Sequence, residues 1–287
     1  MDRFSLGPIA FVCSGLISAF LFATIGRADD NSALIERGKY LAIAADCAAC
    51  HTGPDAKPFA GGVALKTPFG TIVSPNITPD REAGIGAWSD DEFVSALWEG
   101  RGHNGKRLFP AMPYPSFTKM NKDDVLAIRA YLKTVEPVAT KIESNLLPFP
   151  FNLRFNLAIW NLINFREGRY RPDSSRSAEW NRGRYLVDAL EHCGVCHTPK
   201  NLLGGDKSSA YLAGASLQGW FAPSIVPNRN GKGGDAYKDD ELFTLLRTGQ
   251  NGKDIPGGPM AEVISKSTSH LTDDDLRAMI AYLKDKP

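Results

Sequence analysis

Two short segments, CAACH at residues 47–51 and CGVCH at residues 193–197, contain the residues whose types and spacing can do chemistry. In each segment two residues separate a pair of cysteines, and a histidine, His51 or His197, follows directly. Such a pattern occurs in zinc sites, in redox-active dithiols and in sites of covalent haem attachment. The context of the two segments in the rest of the chain distinguishes among zinc binding, dithiol chemistry and haem attachment.

Zinc and dithiol chemistry fit the two segments poorly. A structural zinc site takes four ligands, usually from two neighbouring pairs, whereas here one pair with one histidine lies in each half of the chain. A thioredoxin-like dithiol needs a strand–helix context and no histidine. Covalent haem needs two thiols one helical turn apart and a histidine directly after them as axial iron ligand. The sequence therefore predicts two haem c groups. Their attachment residues are Cys47, Cys50 and His51 for one, and Cys193, Cys196 and His197 for the other.

A methionine opposite the histidine gives six-coordinate iron suited to electron transfer. Met112 and Met260 are predicted as these axial ligands because they follow the two histidines by nearly equal intervals, in proline-containing loops. Met120 has no counterpart in the other half, and Met279 lies on an apolar helical stripe, which predicts a core position.

Other histidines compete as ligands, and a His/His pair is the alternative ligation. His103 lies in a segment rich in glycine and basic residues, and His270 precedes the last predicted helix; both are expected to be exposed. His192 is expected to point away from the haem of its own motif.

The two motifs belong to an internal repeat. Three pairs of segments match in the same order: residues 37–53 with 182–199, 90–101 with 239–250, and 130–133 with 281–284. A repeat of this length predicts a duplicated domain. We expect a first domain at residues 31–137, an ordered linker at 138–177 that packs across both domains, and a second domain at 178–287. A membrane-contact patch is the alternative for the aromatic linker.

Both copies have helical patterns. Phe93 and Leu97 are spaced for one helix face, and Ser89 with Glu92 predicts a capping box. Thr272 begins a similar helix in the second copy. The turn-rich stretches at residues 66–80 and 227–237 show no convincing strand alternation. The predicted fold class is therefore mainly α.

Charge and the N-terminus limit the classes of function. With 33 basic and 32 acidic residues the formal net charge is +1, which does not favour a nucleic-acid partner. Residues 1–28 are typical of a secretory signal peptide, with an apolar run at Leu6–Ile25 and small residues before Asp29. The same run is long enough to span a bilayer uncleaved. Either way the sequence predicts that the body of the protein is exported.

Longer segments resemble the cytochrome c subunits of bacterial membrane-bound alcohol, gluconate and related dehydrogenases. The resemblance is carried by residues 37–52, 58–101, 108–133 and 182–205. It implies two tandem class I-like cytochrome c domains and supports Met112 and Met260 as ligands. It also implies a periplasmic relay that takes electrons from a partner dehydrogenase, itself periplasmic or membrane-associated, and passes them to a quinone, an oxidase or a small cytochrome. Family members commonly have three haem domains, whereas this chain ends at Pro287 after the second copy, which favours a two-haem relay.

Two other functions stay open at this level. A dihaem peroxidase would need one iron with an open distal side, which the matching methionines disfavour. A haem subunit of a membrane oxidase complex would require the N-terminal run to remain as an anchor. The leading hypothesis is an electron-transfer subunit that is not itself an enzyme.

Overall fold

The computed structural model describes residues 1, 16–54, 57–143, 145–217, 219–227 and 236–285. Residues 2–15 of the predicted signal peptide and residues 228–235 of the second turn-rich stretch lie outside these ranges. Within the described residues, no helix is both long and apolar enough to cross a membrane.

The described chain is mainly helical, as the sequence predicts. The helices are α1 (Leu16–Ala44), α2 (Cys47–His51), α3 (Asp90–Glu99), α4 (Tyr114–Phe117), α5 (Lys122–Leu132), α6 (Asn156–Asn164), α7 (Ala178–Tyr185), α8 (Gly194–His197), α9 (Asp239–Thr248), α10 (Gly258–Lys266) and α11 (Asp273–Lys284). A π turn at Leu186–Leu190 follows α7. Short 3-10 turns lie at His103–Gly105, Ser208–Ala210 and Thr268–His270.

Short antiparallel strands connect some of the helices, and two of them overlap the turn-rich stretch at residues 66–80. The strands are β1 (Ala64–Thr67), β2 (Gly70–Val73) and β3 (Asn145–Leu146) in one sheet, and β4 (Ala215–Leu217) and β5 (Trp220–Ala222) in a hairpin. The expectation of no strand in residues 66–80 was wrong. Each strand has at most four residues, too few for a period of two to stand out in the sequence.

The first and last helices of each repeat cross at a glycine. A Cβ placed on Gly38 in α1 would lie 1.9 Å from the carbonyl oxygen of Ala127 in α5. A Cβ on Gly183 in α7 would lie 1.8 Å from the carbonyl oxygen of Ala278 in α11. Only glycine permits such an approach of two helix backbones, so the same close crossing is built into both repeats.

The helix starts follow the predicted caps. The Ser89 hydroxyl accepts a hydrogen bond from the Glu92 backbone N–H, and the Glu92 carboxylate accepts one from the Ser89 N–H, which confirms the capping box. The Thr272 hydroxyl accepts from the Asp275 N–H at the start of α11. These caps fix where the α3 and α11 backbones begin.

The segment between the repeats contacts both of them. In α6, the side-chain oxygen of Asn161 accepts a 2.6 Å hydrogen bond from the Tyr114 hydroxyl of the first repeat. The Trp160 indole N–H donates to the backbone oxygen of Leu203 in the second repeat at 2.8 Å. These bonds hold α6 against residues on either side of it in the sequence.

Candidate haem sites

The first cysteine–histidine motif forms helix α2, directly after α1. Asp46 between the two helices has left-handed backbone angles, which turn the chain sharply. His51 is buried, and its Nδ1 lies 2.8 Å from the carbonyl oxygen of Pro75. The thiols of Cys47 and Cys50 are free and partly buried.

The second motif has the same arrangement. Cys193 immediately precedes helix α8, which contains Cys196 and ends at His197. His197 is buried, and its Nδ1 lies 2.7 Å from the carbonyl oxygen of Pro223. The thiols of Cys193 and Cys196 are also free and partly buried. The two motifs therefore present the same set of donor atoms.

The contact with a backbone carbonyl decides which nitrogen of each histidine carries the proton. A carbonyl oxygen can only accept, so Nδ1 of His51 and of His197 donates. Burial lowers the pKa of both imidazoles, which favours their neutral form. Neutral imidazole protonated on Nδ1 has its free lone pair on Nε2, which is the form that ligates a metal.

Sequence reasoning did not find the two prolines that orient these histidines. Pro75 follows strand β2 and Pro223 follows strand β5, so they occupy matching places in the two repeats. The loop beneath each histidine is closed by a glycine N–H that donates to the histidine backbone oxygen at 2.8 Å, from Gly61 in one repeat and Gly214 in the other. The recurrence of proline after each hairpin was the available signal.

The cysteine thiols do not have the character of a reactive redox dithiol. Burial raises the pKa of Cys47 to about 12 and that of Cys50 to about 11, and nearby carboxylates add to the effect. Burial also raises the pKa of Cys193 and Cys196. Reactive dithiols have lowered thiol pKa values. Four protonated, unpaired thiols, two beside each neutral histidine, fit attachment of haem c through thioether bonds.

The two predicted axial methionines pack against one core, which Cys47 and Cys193 also contact. Met112 lies in a loop held by backbone hydrogen bonds, with its N–H donating to Phe109 and its oxygen accepting from Tyr114. Met260 was expected in a loop but lies in the first turn of α10. A proline in a first helical turn is favourable, and Pro259 allows the helix to begin before the methionine.

The other methionines are core residues. Met120 and Met279 are 0% and 2% exposed. Met279 lies on the buried face of α11, as its helical spacing predicts. The Met120 backbone oxygen accepts a hydrogen bond from the Trp98 indole.

The remaining histidines have protein partners. His103 is exposed, as expected, and its Nδ1 lies 2.8 Å from a Glu92 carboxylate oxygen. His270 is also exposed. The His192 ring packs edge-on against Phe117 of the first repeat, with 5.5 Å between ring centroids.

The structure brings the two motifs close together. The Ser267 hydroxyl lies 2.7 Å from the carbonyl oxygen of Ile43 at the end of α1 and 2.9 Å from a carboxyl oxygen of Glu191, just before the second motif. The pKa of Cys50, raised mainly by burial, is raised further by the nearby Cys196. The residues that lead into the two motifs therefore meet at one interface.

Comparison of the sequence with known proteins shows the family to which this chain belongs. The cytochrome c family model matches residues 35–136. The diheme cytochrome c-type protein of Cereibacter sphaeroides is 38% identical over 259 residues, which cover 88% of this chain and 85% of that protein. The chain belongs to the cytochrome c family. Covalently bound haem c is therefore its cofactor, as the two motifs predict.

Two further relatives are parts of dehydrogenases by name. A nicotinate dehydrogenase subunit of Pseudomonas putida is 47% identical over 255 residues, 88% of this cytochrome c and 21% of that protein. The fructose dehydrogenase cytochrome subunit of Gluconobacter japonicus is 46% identical over 256 residues, 88% of this cytochrome c and 52% of that protein. This cytochrome c therefore spans about half or less of the length of these two relatives. The resemblance to dehydrogenase cytochrome c subunits is confirmed.

Proposed function

We propose that this cytochrome c is a dihaem electron relay in the bacterial periplasm. In this proposal a partner dehydrogenase supplies single electrons, and a quinone, an oxidase or a small cytochrome accepts them. The names of the relatives, which are subunits of dehydrogenases, support the donor. The chain would carry electrons without converting a substrate itself.

The repeated pairing of a buried histidine with a proline carbonyl is the observation that carries the proposal. One such pair lies beside each set of thiols, at 2.8 Å for His51 and 2.7 Å for His197. A chain with one working site would not need the same supporting contact twice. The hydrogen bond also increases the basicity of Nε2 and fixes the ring plane.

Each residue has a defined role in the proposal. The thioether-forming residues are Cys47, Cys50, Cys193 and Cys196, and the axial ligands are His51 with Met112 and His197 with Met260. Haem iron with a histidine and a methionine ligand supplies reversible one-electron transfer at a raised potential. The protein contributes burial, which excludes water, and rigid positions for the imidazoles.

The repeats would form two class I-like cytochrome c domains at residues 31–137 and 178–287, with residues 138–177 as an ordered linker. Contacts of Tyr114 and Leu203 with α6 support a linker that joins the domains rigidly. A rigid joint would keep the separation between the two cofactors constant, which a stepwise relay requires.

Haem content and the visible spectrum test this function. Protein matured in a bacterial periplasm is purified, haem is counted per chain, and spectra are recorded for the oxidised and reduced forms. We expect two covalent low-spin haems and the weak red-end absorption band of ferric iron bound by methionine sulfur. A high-spin component with rapid peroxide turnover would instead indicate a peroxidase, and one haem per chain would contradict the relay.

A further inference from the structure

Helix α6 turns an apolar face to solvent. An ordinary surface helix turns its apolar stripe toward the core, whereas α6 turns its apolar stripe outward. The exposed fractions are 65% for Phe155, 53% for Ile159, 76% for Leu162 and 52% for Ile163. Leu157 alone is a buried residue of the helix.

Hydrogen bonds on the other side hold α6 in this orientation. Asn161 accepts from the Tyr114 hydroxyl at 2.6 Å, and the side-chain oxygen of Asn164 accepts from the amide of Asn201 at 2.7 Å. The Trp160 indole donates to a backbone oxygen at 2.8 Å. Rotation of the helix to bury its apolar stripe would break all three bonds, so the exposed face is a fixed feature of the fold.

The chain before α6 extends the same surface. Phe149, Phe151 and Leu153 are exposed by 78%, 45% and 38%. The Phe151 ring packs against Phe69, with 5.2 Å between centroids, which keeps this loop on the body of the protein. We call the exposed side chains of residues 149–163 the α6 face. Apolar residues scattered singly are common on protein surfaces, whereas a continuous face marks a contact with a partner or a membrane.

The charges around the α6 face are mainly positive. The sequence contains no aspartate or glutamate between Glu143 and Glu167, while Arg154 and Arg166 lie within and at the end of this stretch. An N–H of Arg154 donates to the backbone oxygen of Arg107. Burial and then the charge of Arg154 lower the pKa of Lys106, so these cations lie close together.

A cleft joins the positive charges to the apolar residues. Leu162 and Phe165 line it together with Arg101 and Arg107. The acidic residues of the cleft are Glu99 and Glu167, which lie 3.8 Å from Arg101 and 2.7 Å from Arg169, respectively. With Lys106, Arg154 and Arg166, basic residues therefore outnumber acidic ones around the face.

We propose that the α6 face docks on a membrane surface that contains anionic lipids. In this arrangement α6 lies parallel to the bilayer, with Phe155, Ile159, Leu162 and Ile163 among the upper acyl chains and the arginines at the headgroups. The side chains of Phe155, Ile159, Leu162 and Ile163 have no hydrogen-bonding groups, whereas protein interfaces distribute hydrogen bonds over their area. The positive rim matches anionic headgroups.

Docking would also orient the first repeat. Tyr114, which α6 holds through Asn161, lies two residues after Met112. The α6 face therefore adjoins the segment of the predicted axial ligand, and docking would turn this segment toward the membrane, where a quinone acceptor resides. This last step rests on the proposed function, whereas lipid binding itself does not.

Vesicle sedimentation with the intact holoprotein tests the proposal. Binding is compared on vesicles of phosphatidylcholine with phosphatidylglycerol and on phosphatidylcholine alone, and we expect stronger, salt-sensitive binding to the anionic vesicles. The double variant Leu162→Gln/Ile163→Gln should bind at least about tenfold more weakly, because two apolar side chains no longer leave water. Arg166→Gln should weaken binding to the anionic vesicles about fivefold.

Ile255→Gln is the matched control, because Ile255 is 78% exposed, like Leu162, and lies between α9 and α10. This variant should bind like the wild type. Unchanged haem content and far-ultraviolet circular dichroism would show that all variants fold. Equal vesicle binding by the wild type and the double variant would overturn the proposal. A second outcome would also overturn it: light scattering shows that the wild type self-associates, the double variant does not, and neither binds vesicles. That result would assign the face to a contact with a second copy of the chain.

Discussion

The Tyr40 hydroxyl donates a 2.5 Å hydrogen bond to Asp275, and the Tyr185 hydroxyl donates one of the same length to Asp124. Each tyrosine lies in the first helix of one repeat, and each aspartate lies in the last helix of the other. The two bonds therefore form a reciprocal joint between the repeats. Because the helices α1 and α7 lead into the two cysteine–histidine motifs, this joint fixes how the motifs face each other.

Each of these aspartates also accepts hydrogen bonds from an arginine of its own repeat. Arg182 forms two hydrogen bonds with Asp275, at 2.8 and 2.7 Å, and Arg37 lies 2.5 Å from Asp124. Burial alone would raise the pKa of Asp275, but the Arg182 and Tyr40 hydrogen bonds lower it. The aspartate is thus held in its charged form, and a hydrogen bond to a charged group is among the stronger ones in proteins.

Loss of either tyrosine hydroxyl should therefore destabilise the protein. For Tyr40→Phe and for Tyr185→Phe we expect a decrease of about 1.5–3 kcal/mol in the free energy of unfolding, because a largely buried carboxylate loses a donor. Urea unfolding followed by circular dichroism measures this change.

Tyr237→Phe is the control for this prediction. The Tyr237 hydroxyl donates to Asp254 at 2.7 Å, but this pair is exposed. Its loss should change the free energy of unfolding by less than about 1 kcal/mol. Equal effects for Tyr185→Phe and Tyr237→Phe would contradict a joint that depends on burial.

The helix crossings give a second prediction. Gly38→Ala and Gly183→Ala should each lower the free energy of unfolding by about 3 kcal/mol or more, because the new methyl groups would overlap carbonyl oxygens in the facing helices. Thermal or urea unfolding checks the change. Gly168→Ala is the control, since no atom lies within 4 Å of the added Cβ. A neutral result for Gly183→Ala would show that α7 and α11 can separate at no cost.

Local signals in the sequence were sufficient for much of the fold. The capping box of Ser89 and Glu92 involves neighbours in the chain, so its residue types predict it. The core position of Met279 follows from helical spacing alone. Met260 was misplaced because two glycines and a proline precede it, and the same residues that end many helices also begin this one.

The contacts between the repeats could not be predicted in this way. Tyr40 and Asp275 are 235 residues apart in the chain, and neither residue type is specific for the pairing. Pro75 and Pro223 contribute backbone oxygens, which every residue has, so only their repeated position distinguishes them. The outward apolar face of α6 looks in the sequence like an ordinary half-buried helix, because periodicity does not say which side faces the protein.

The axial methionines give a third prediction, this one spectroscopic. Met112→Leu and Met260→Leu should each remove about half of the red-end absorption band of the ferric protein and leave the haem count unchanged, since one of two sulfur ligands is lost. Met120→Leu is the matched control, because Met120 is a fully buried core residue and should leave the band intact. Loss of the band in Met120→Leu but not in Met112→Leu would assign the ligand to Met120.

The fourth prediction concerns Asp46, at the turn before the first motif, whose carboxyl should make the stability of the protein depend on pH. It is 8% exposed, and its Oδ1 is buried with no hydrogen-bond partner among the described residues. Burial, with a smaller contribution from Glu262, raises its pKa to about 7, against about 3.9 in an unfolded chain. Because the folded state favours the protonated carboxyl, Asp46 should destabilise the protein increasingly as the pH rises from about 4 to about 7.

Asp46→Asn should therefore increase the free energy of unfolding by about 1–3 kcal/mol at pH 8 and have little effect at pH 4, since asparagine is neutral at both. Asparagine also tolerates the left-handed backbone angles of this position. Urea unfolding across this pH range measures the difference, with Asp30→Asn, at an exposed position, as a control that should leave the free energy of unfolding unchanged. If Asp46→Asn increased the free energy of unfolding equally at pH 4, the Asp46 carboxyl would not be protonated in the folded state at that pH. Burial of a charged carboxylate would then not explain the gain in stability.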